Sequence, residues 1–192
     1  MIKTDNFDKV EITSQEELRS WLMKNHAQGE SVWLVTYKKS EPEKYVSVSQ
    51  VLDELLCFGW IDGIRRKLDD SRTMQLIAQR KVQHWAKTYK ERAAKLIEEG
   101  QMHESGLRSI ADSKSNGLWH FMDDVDNLVV PEDVSEALSK LEGASQFFEA
   151  LNPSSKRFVL RWIKLAKTDK TRNNRIQKLA ELSSKGEKLP GS

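Results

Sequence analysis

The sequence predicts an α+β protein: a helix–strand–helix–β-hairpin half over residues 1–100, with an all-helical half over residues 101–192 packed against it. Three observations predict this. β-Branched and aromatic residues concentrate at 32–37 and in two runs between 60 and 80, bounded by turn residues. Elsewhere apolar residues recur every three or four positions behind Ser, Thr or Asp caps. Beyond residue 81 no further run reads as a strand. At 192 residues, 38% hydrophobic and 31% charged, the chain can bury a core and is unlike a disordered one.

Thr13-Ser14-Gln15-Glu16 is a capping-box pattern, followed by Leu18, Trp21 and Leu22 at helical spacing as far as Gly29. Val32 to Tyr37 is near-continuously apolar, as a central strand covered on both faces would be. Ser47-Val48-Ser49-Gln50 is a second capping box, and Val48, Val51, Leu52, Leu55 and Phe58 form the stripe of the next helix. Gly59 falls where a left-handed cap would end it. Residues 60–68 and 73–80 then read as two strands around an Asp69-Asp70-Ser71-Arg72 turn.

Downstream, Trp85, Tyr89, Ala93, Leu96 and Ile97 keep a helical period up to Gly100, and Leu107, Ile110 and Ala111 begin another. Pro131 suits the first position of a helix, Ser154 or Ser155 would cap the next long one, and Asp169 the last. The stretch 117–130, with Asp123, Asp124 and Asp126, is the least helical part and a second possible boundary between the halves. The halves form either two domains or one compact unit.

No apolar run is long enough to cross a bilayer, and the first eight residues lack the apolar core of an export signal. With Cys57 as the single cysteine, no internal disulfide forms, and a cytoplasmic location is expected. His26, His84, His103 and His120 show no ligand spacing, so no metal and no cofactor are expected. The net charge of +2 hides a segregation. Residues 101–153 hold 3 Lys/Arg against 10 Asp/Glu, and residues 154–192 hold 11 against 3. The two blocks either pair within the chain as neighbouring helices or leave a basic face for an anionic partner, nucleic acid included.

The densest cluster of unusual residues is Cys57-Phe58-Gly59-Trp60-Ile61-Asp62-Gly63, followed by Arg65, Arg66 and, at the hairpin end, Arg80 with Trp85. Between residues 60 and 95 there are 10 basic and 4 acidic residues, interleaved with Trp60, Trp85 and Tyr89. Guanidinium forks suit phosphate or carboxylate, and indoles can stack a ring; a solvated hairpin face is the alternative. Strand alternation puts Trp60, Asp62 and Arg66 on one face and Arg65 on the other with Gly63. Asp62 in a strand calls for a partner, either an arginine across the hairpin or a ligand. Cys57 reads as a small buried hydrophobe. His84 is the histidine that the chain places nearest the cluster.

The Trp33-Leu34-Val35-Thr36-Tyr37-Lys38-Lys39 run and the Cys57-to-Gly63 block resemble the YdeI/OmpD-associated family, also called bacteriocin-protection or OmdA proteins. Arg80-Lys81 with Trp85, Leu96-Ile97-Glu98-Glu99-Gly100-Gln101-Met102, Phe148-Glu149-Ala150-Leu151, Arg161-Trp162-Ile163 and Arg172-Asn173-Asn174-Arg175-Ile176 fit as well, so the likeness spans nearly the whole chain. The resemblance implies a role in protection against cationic antimicrobial peptides and carries no catalytic residues. The expected function is a non-enzymatic binding protein of this stress-protection family, with Trp60, Asp62, Arg65, Arg66, Arg80 and Trp85 facing an anionic small molecule or protein partner. The alternatives are a small enzyme using Asp62 as general base, and a nucleic-acid or acidic-partner binder working through the C-terminal basic helices.

Overall fold

The computed structural model describes residues 6–192 of the chain. It is an α+β protein whose strands all lie in the N-terminal half, and it divides after His120 into two compact units. The first unit runs β1 (Lys9–Glu11), α1 (Gln15–Asn25), β2 (Val32–Tyr37), α2 (Val48–Cys57), β3 (Trp60–Lys67), β4 (Arg72–Gln79), α3 (Lys87–Glu98) and α4 (Glu104–Ser115). The four strands form one mixed sheet in the order β1-β2-β4-β3, with β1 parallel to β2 and the other pairs antiparallel. The strand β1 is not anticipated by the sequence. Its three residues alternate but are too few to signal a strand, and it exists because its backbone finds the edge of β2.

Local signals set most boundaries. Ser47 and Gln50 make the reciprocal capping box of α2. At α1 the box sits one residue later than the sequence pattern suggests: Ser14 accepts the Glu17 amide, and the Glu17 carboxylate accepts from the Thr13 amide at 2.7 Å. Asp69 organises the hairpin turn by accepting from the amides of Ser71 and Arg72 and from the Arg72 guanidinium. Those bonds hold its carboxyl down at about 2. β2 is central and buried, and its Val32 and Leu34 meet Leu18 and Leu22 of α1, Val51 and Leu55 of α2, and Ile77 of β4.

The second unit is helical: α5 (Asp123–Asp126), α6 (Glu132–Ser139), α7 (Ala144–Ala150), α8 (Pro153–Lys164) and α9 (Asp169–Ser184), around Val134, Leu138, Phe148, Val159, Ile163, Ile176 and Leu179. Two caps fall ahead of the expected residues: Asn152 caps α8 by accepting the Ser155 amide, and Thr168 caps α9 by accepting the Thr171 amide. Pro131, expected as the first residue of α6, is instead its N-cap, so that helix starts one residue later. The opposite charge blocks pair inside this unit. Lys164 meets Asp124 at 2.5 Å, and Arg172 binds Asp133 through two nitrogens at 2.8 and 2.9 Å.

Candidate functional site

The site begins where α2 stops. Phe58 closes the helix and Gly59 follows at φ +74°, a conformation that side-chain-bearing residues resist. Space forbids a side chain there as well: a Cβ at Gly59 would lie 2.9 Å from Ser109 Cβ and 3.0 Å from the Ser105 carbonyl oxygen. The turn delivers the chain directly into β3, and the Arg80 amide donates back to the Gly59 carbonyl at 2.9 Å, closing the open end of the hairpin. Helix α4 docks on the same corner. The His103 amide donates to the Cys57 carbonyl at 3.0 Å, and Gly106 lies against that carbonyl.

Between these pieces lies a cavity of about 400 Å³. The α2–hairpin side contributes His26, Phe58, Gly59, Gln79, Arg80 and Lys81. The α4 side contributes Ser105, Ser109 and Ser113, four residues apart on one helix face, with Arg108 and Asp112. Three cations line it against one carboxylate, and one of them, Arg108, is also paired with Glu104 at 3.0 Å.

Arg80 is the most constrained of these cations. Its guanidinium carbon lies 4.2 Å from the centre of the Trp85 ring and 5.6 Å from that of Tyr89. Nη1 makes long contacts, 3.3 and 3.4 Å, to the Gln83 and His84 carbonyls, and the buried Nε has no acceptor. Nε1 of the fully buried Trp85 also lacks one. Burial pulls the Arg80 pKa down to about 10, against the opposing pull of Tyr89 and Asp62, so the group is still cationic at neutral pH. Tyr89 is pushed up to about 12 by burial and by its bond to Asp62.

The sequence-predicted residues split across two faces, though not as simple alternation suggests. Pairing shifts register between Asp62 and Arg65, so two residues of β3, Gly63 and Ile64, oppose one of β4, Leu76. This bulge at Gly63–Ile64 returns Arg65 to the face of Trp60 and Asp62, where it pairs with Gln75, and moves Arg66 to the opposite face, 5.3 Å from the Trp33 ring. The Asp62 carboxylate meets two neutral donors, Tyr89 Oη at 2.7 Å and Gln75 Nε2 at 2.9 Å, rather than an arginine. Arg65 joins the network through Gln75 Oε1 at 2.5 Å. Asp62 therefore holds Tyr89, and Tyr89 flanks Arg80. Trp60 is buried edge-on to Trp21 and donates Nε1 to the His26 carbonyl at 3.1 Å. Of the six predicted residues, Arg80 alone lines the cavity.

Sequence reasoning missed His26, His103 and the wall made by α4. His103 caps α4: its Nδ1 accepts the Ser105 amide at 3.2 Å, and its ring stacks on Phe58 at 4.8 Å and approaches His26 at 4.7 Å. These two histidines stand beside the cluster in addition to His84, whose carbonyl meets Arg80. The signal available was His103-Glu104-Ser105 directly ahead of an apolar period, but histidine is an uncommon cap. The buried Glu54, bound by Gln15 at 2.7 Å and Arg19 at 3.0 Å, was also passed over; it ties α1 to α2 behind the cavity.

Fold and site together define an α+β protein with a cationic, hydroxyl-lined cavity in its first unit. Residues 10–109 match the family model described as Domain of unknown function (DUF8412), more than half of the chain, and the protein belongs to that family. Residues 127–186 match the model described as Bacteriocin-protection, YdeI or OmpD-Associated. The resemblance read from the sequence holds over this segment of the helical unit rather than over nearly the whole chain, and the Cys57-to-Gly63 block lies within the first model's span. No curated protein and no solved structure matches the chain.

Proposed function

We propose that this protein is a non-enzymatic binding protein that holds a small anionic ligand in the cavity beside Gly59, with Arg80, Lys81 and Arg108 as the cationic contacts. The observation that carries the reading is Arg80: a largely buried guanidinium, fixed between two aromatic rings, lining a cavity and retaining a donor without an acceptor. A buried charge costs free energy unless something compensates it, and no carboxylate among the described residues comes within ion-pair distance. An anion in the cavity supplies the missing counter-charge, although the Nε itself is shut away from it. Asp62, Arg65 and Trp85 act behind Arg80, through Tyr89 and ring stacking, Trp60 holds the His26 carbonyl, and Arg66 serves the other face of the sheet. Asp62 is committed to Tyr89 and Gln75, which suits positioning better than proton abstraction.

A role in bacteriocin protection is taken from the description of the model matched by residues 127–186, and a cytoplasmic location completes the proposal. Among the described residues no helix is long and apolar enough to cross a membrane. Thermal unfolding with added inorganic phosphate or citrate tests the reading. Ligand at about a hundred times its Kd stabilises by roughly 2.7 kcal/mol, a rise of several degrees in Tm. The Lys81→Ala/Arg108→Ala double variant is expected to lose the rise and Arg66→Ala to keep it. An unchanged Tm with both anions, or a rise that survives in the double variant, refutes the assignment.

A further inference from the structure

We propose that the cavity takes a phosphorylated polyol or sugar, with the phosphoryl group among Arg80, Lys81 and Arg108 and a ligand hydroxyl donating to Asp112. The inference rests on the anion-binding reading above and narrows it. Charge is the first argument. Arg80, Lys81 and Arg108 stand against Asp112 in the lining, and Arg108 is also paired with Glu104 at 3.0 Å, so Arg80 and Lys81 are the cations without an ion-pair partner among the described residues. A phosphate monoester carries about −1.5 to −2 at neutral pH, so it can draw on Arg80 and Lys81 together even while Arg108 stays with Glu104, where a single carboxylate draws on one.

The acceptors supply the second argument. Asp112 is an obligate acceptor when ionised, and among the described residues no side chain donates to its carboxylate. A bare anion placed beside it meets repulsion with nothing in return. The neighbouring polar groups also offer acceptors more than donors. Gln79 has committed its amide NH₂ to the His26 carbonyl at 2.6 Å, leaving Oε1 open. Ser113 donates to the Ser109 carbonyl at 2.8 Å, and Ser105 commits its proton to Phe58 O or His103 Nδ1. The part of the ligand that is not the anion must therefore bring hydroxyl donors. An aromatic or hydrocarbon body would instead strip these groups of water without replacing their hydrogen bonds. The volume, at the lower end of the roughly 300–1,000 Å³ usual for ligand sites, suits a compact body.

Isothermal titration of the full chain with glucose 6-phosphate, glycerol 3-phosphate, glucose, inorganic phosphate and citrate tests this. Glucose 6-phosphate or glycerol 3-phosphate is expected to bind at least about tenfold more tightly than inorganic phosphate, the gain of one hydrogen bond to a charged acceptor. Asp112→Asn removes most of that advantage and leaves inorganic phosphate as tight or tighter, whereas Arg108→Ala weakens both. Arg108 and Asp112 are exposed on α4, so both variants keep the fold. If citrate or inorganic phosphate binds as well as the phosphate esters, or Asp112→Asn leaves the advantage intact, the polyol assignment falls and the anion reading stands. If no anion binds, both fall.

Discussion

Replacing Gly106 with alanine asks whether α4 is seated on α2 as tightly as the cavity requires. Helix propensity alone favours the change, since alanine is better than glycine in a helix interior by about 0.8–1.0 kcal/mol. Packing opposes it. A Cβ at position 106 would lie 2.2 Å from the Cys57 carbonyl oxygen, and 2.8 Å from both the Cys57 carbonyl carbon and the Leu56 oxygen. All three are backbone atoms and cannot rotate away. Ordinary contact requires α4 to retreat by roughly 1 Å, which also stretches the 3.0 Å bond from the His103 amide to the same carbonyl. Overpacking of this kind typically costs about 1–3 kcal/mol and sometimes more. The steric term outweighs propensity, so Gly106→Ala is expected to lower stability by about 1–2 kcal/mol net. Urea unfolding followed by tryptophan fluorescence reads this as a lower midpoint at constant slope. Gly29→Ala, where nothing lies within 4 Å of the added carbon, is the control and stays near neutral. A Gly106→Ala protein as stable as the parent, or more so, refutes the docking of α4 described here.

Three further outcomes follow from the same corner. His103 is held below the ordinary histidine value of 6.5 by burial first, then by the charges of His26 and Arg19, with Glu104 opposing. Its neutral ring caps α4, so the stabilisation is fully present above pH 6.5 and is lost as pH falls through the lower folded value. Tm measured between pH 5 and 7.5 should rise with pH in the parent and flatten in His103→Ala; an equal slope in both contradicts the cap. Burial raises the Cys57 thiol to about 11, so native protein at pH 8 should resist a thiol reagent until unfolded, and rapid stoichiometric labelling would contradict its burial. Tyr89→Phe leaves Asp62 with Gln75 as its remaining donor and should cost about 1–3 kcal/mol in urea unfolding; a change within error would mean that the Asp62–Tyr89 bond contributes nothing.

What the sequence revealed was local, and what it concealed depended on pairing at a distance. Ser47 and Gln50 announce α2 because both partners of the capping box lie within one turn, and Gly59 marks its end because so few residues accept its φ. The arginines were harder to place. A single bulge at Gly63–Ile64 reverses the faces of Arg65 and Arg66, and a bulge is fixed by the partner strand rather than by β3 itself. Asp62 was legible as a residue needing a partner, but Tyr89 and Gln75 are 27 and 13 residues away and neither is charged. The cavity wall on α4 left less trace still. Ser105, Ser109 and Ser113 are an unremarkable polar stripe until Gly106 seats the helix against Cys57. The charge blocks were the opposite case: read as possible helix neighbours, Asp124 and Asp133 do meet Lys164 and Arg172.

The most direct test of the central claim is a ¹⁵N-resolved titration of the full chain with inorganic phosphate, following backbone amides. Saturable shifts are expected at Gly59, Arg80, Lys81 and the 105–113 face of α4. Shifts confined to the basic residues of α8 and α9, or none at millimolar phosphate, would contradict it.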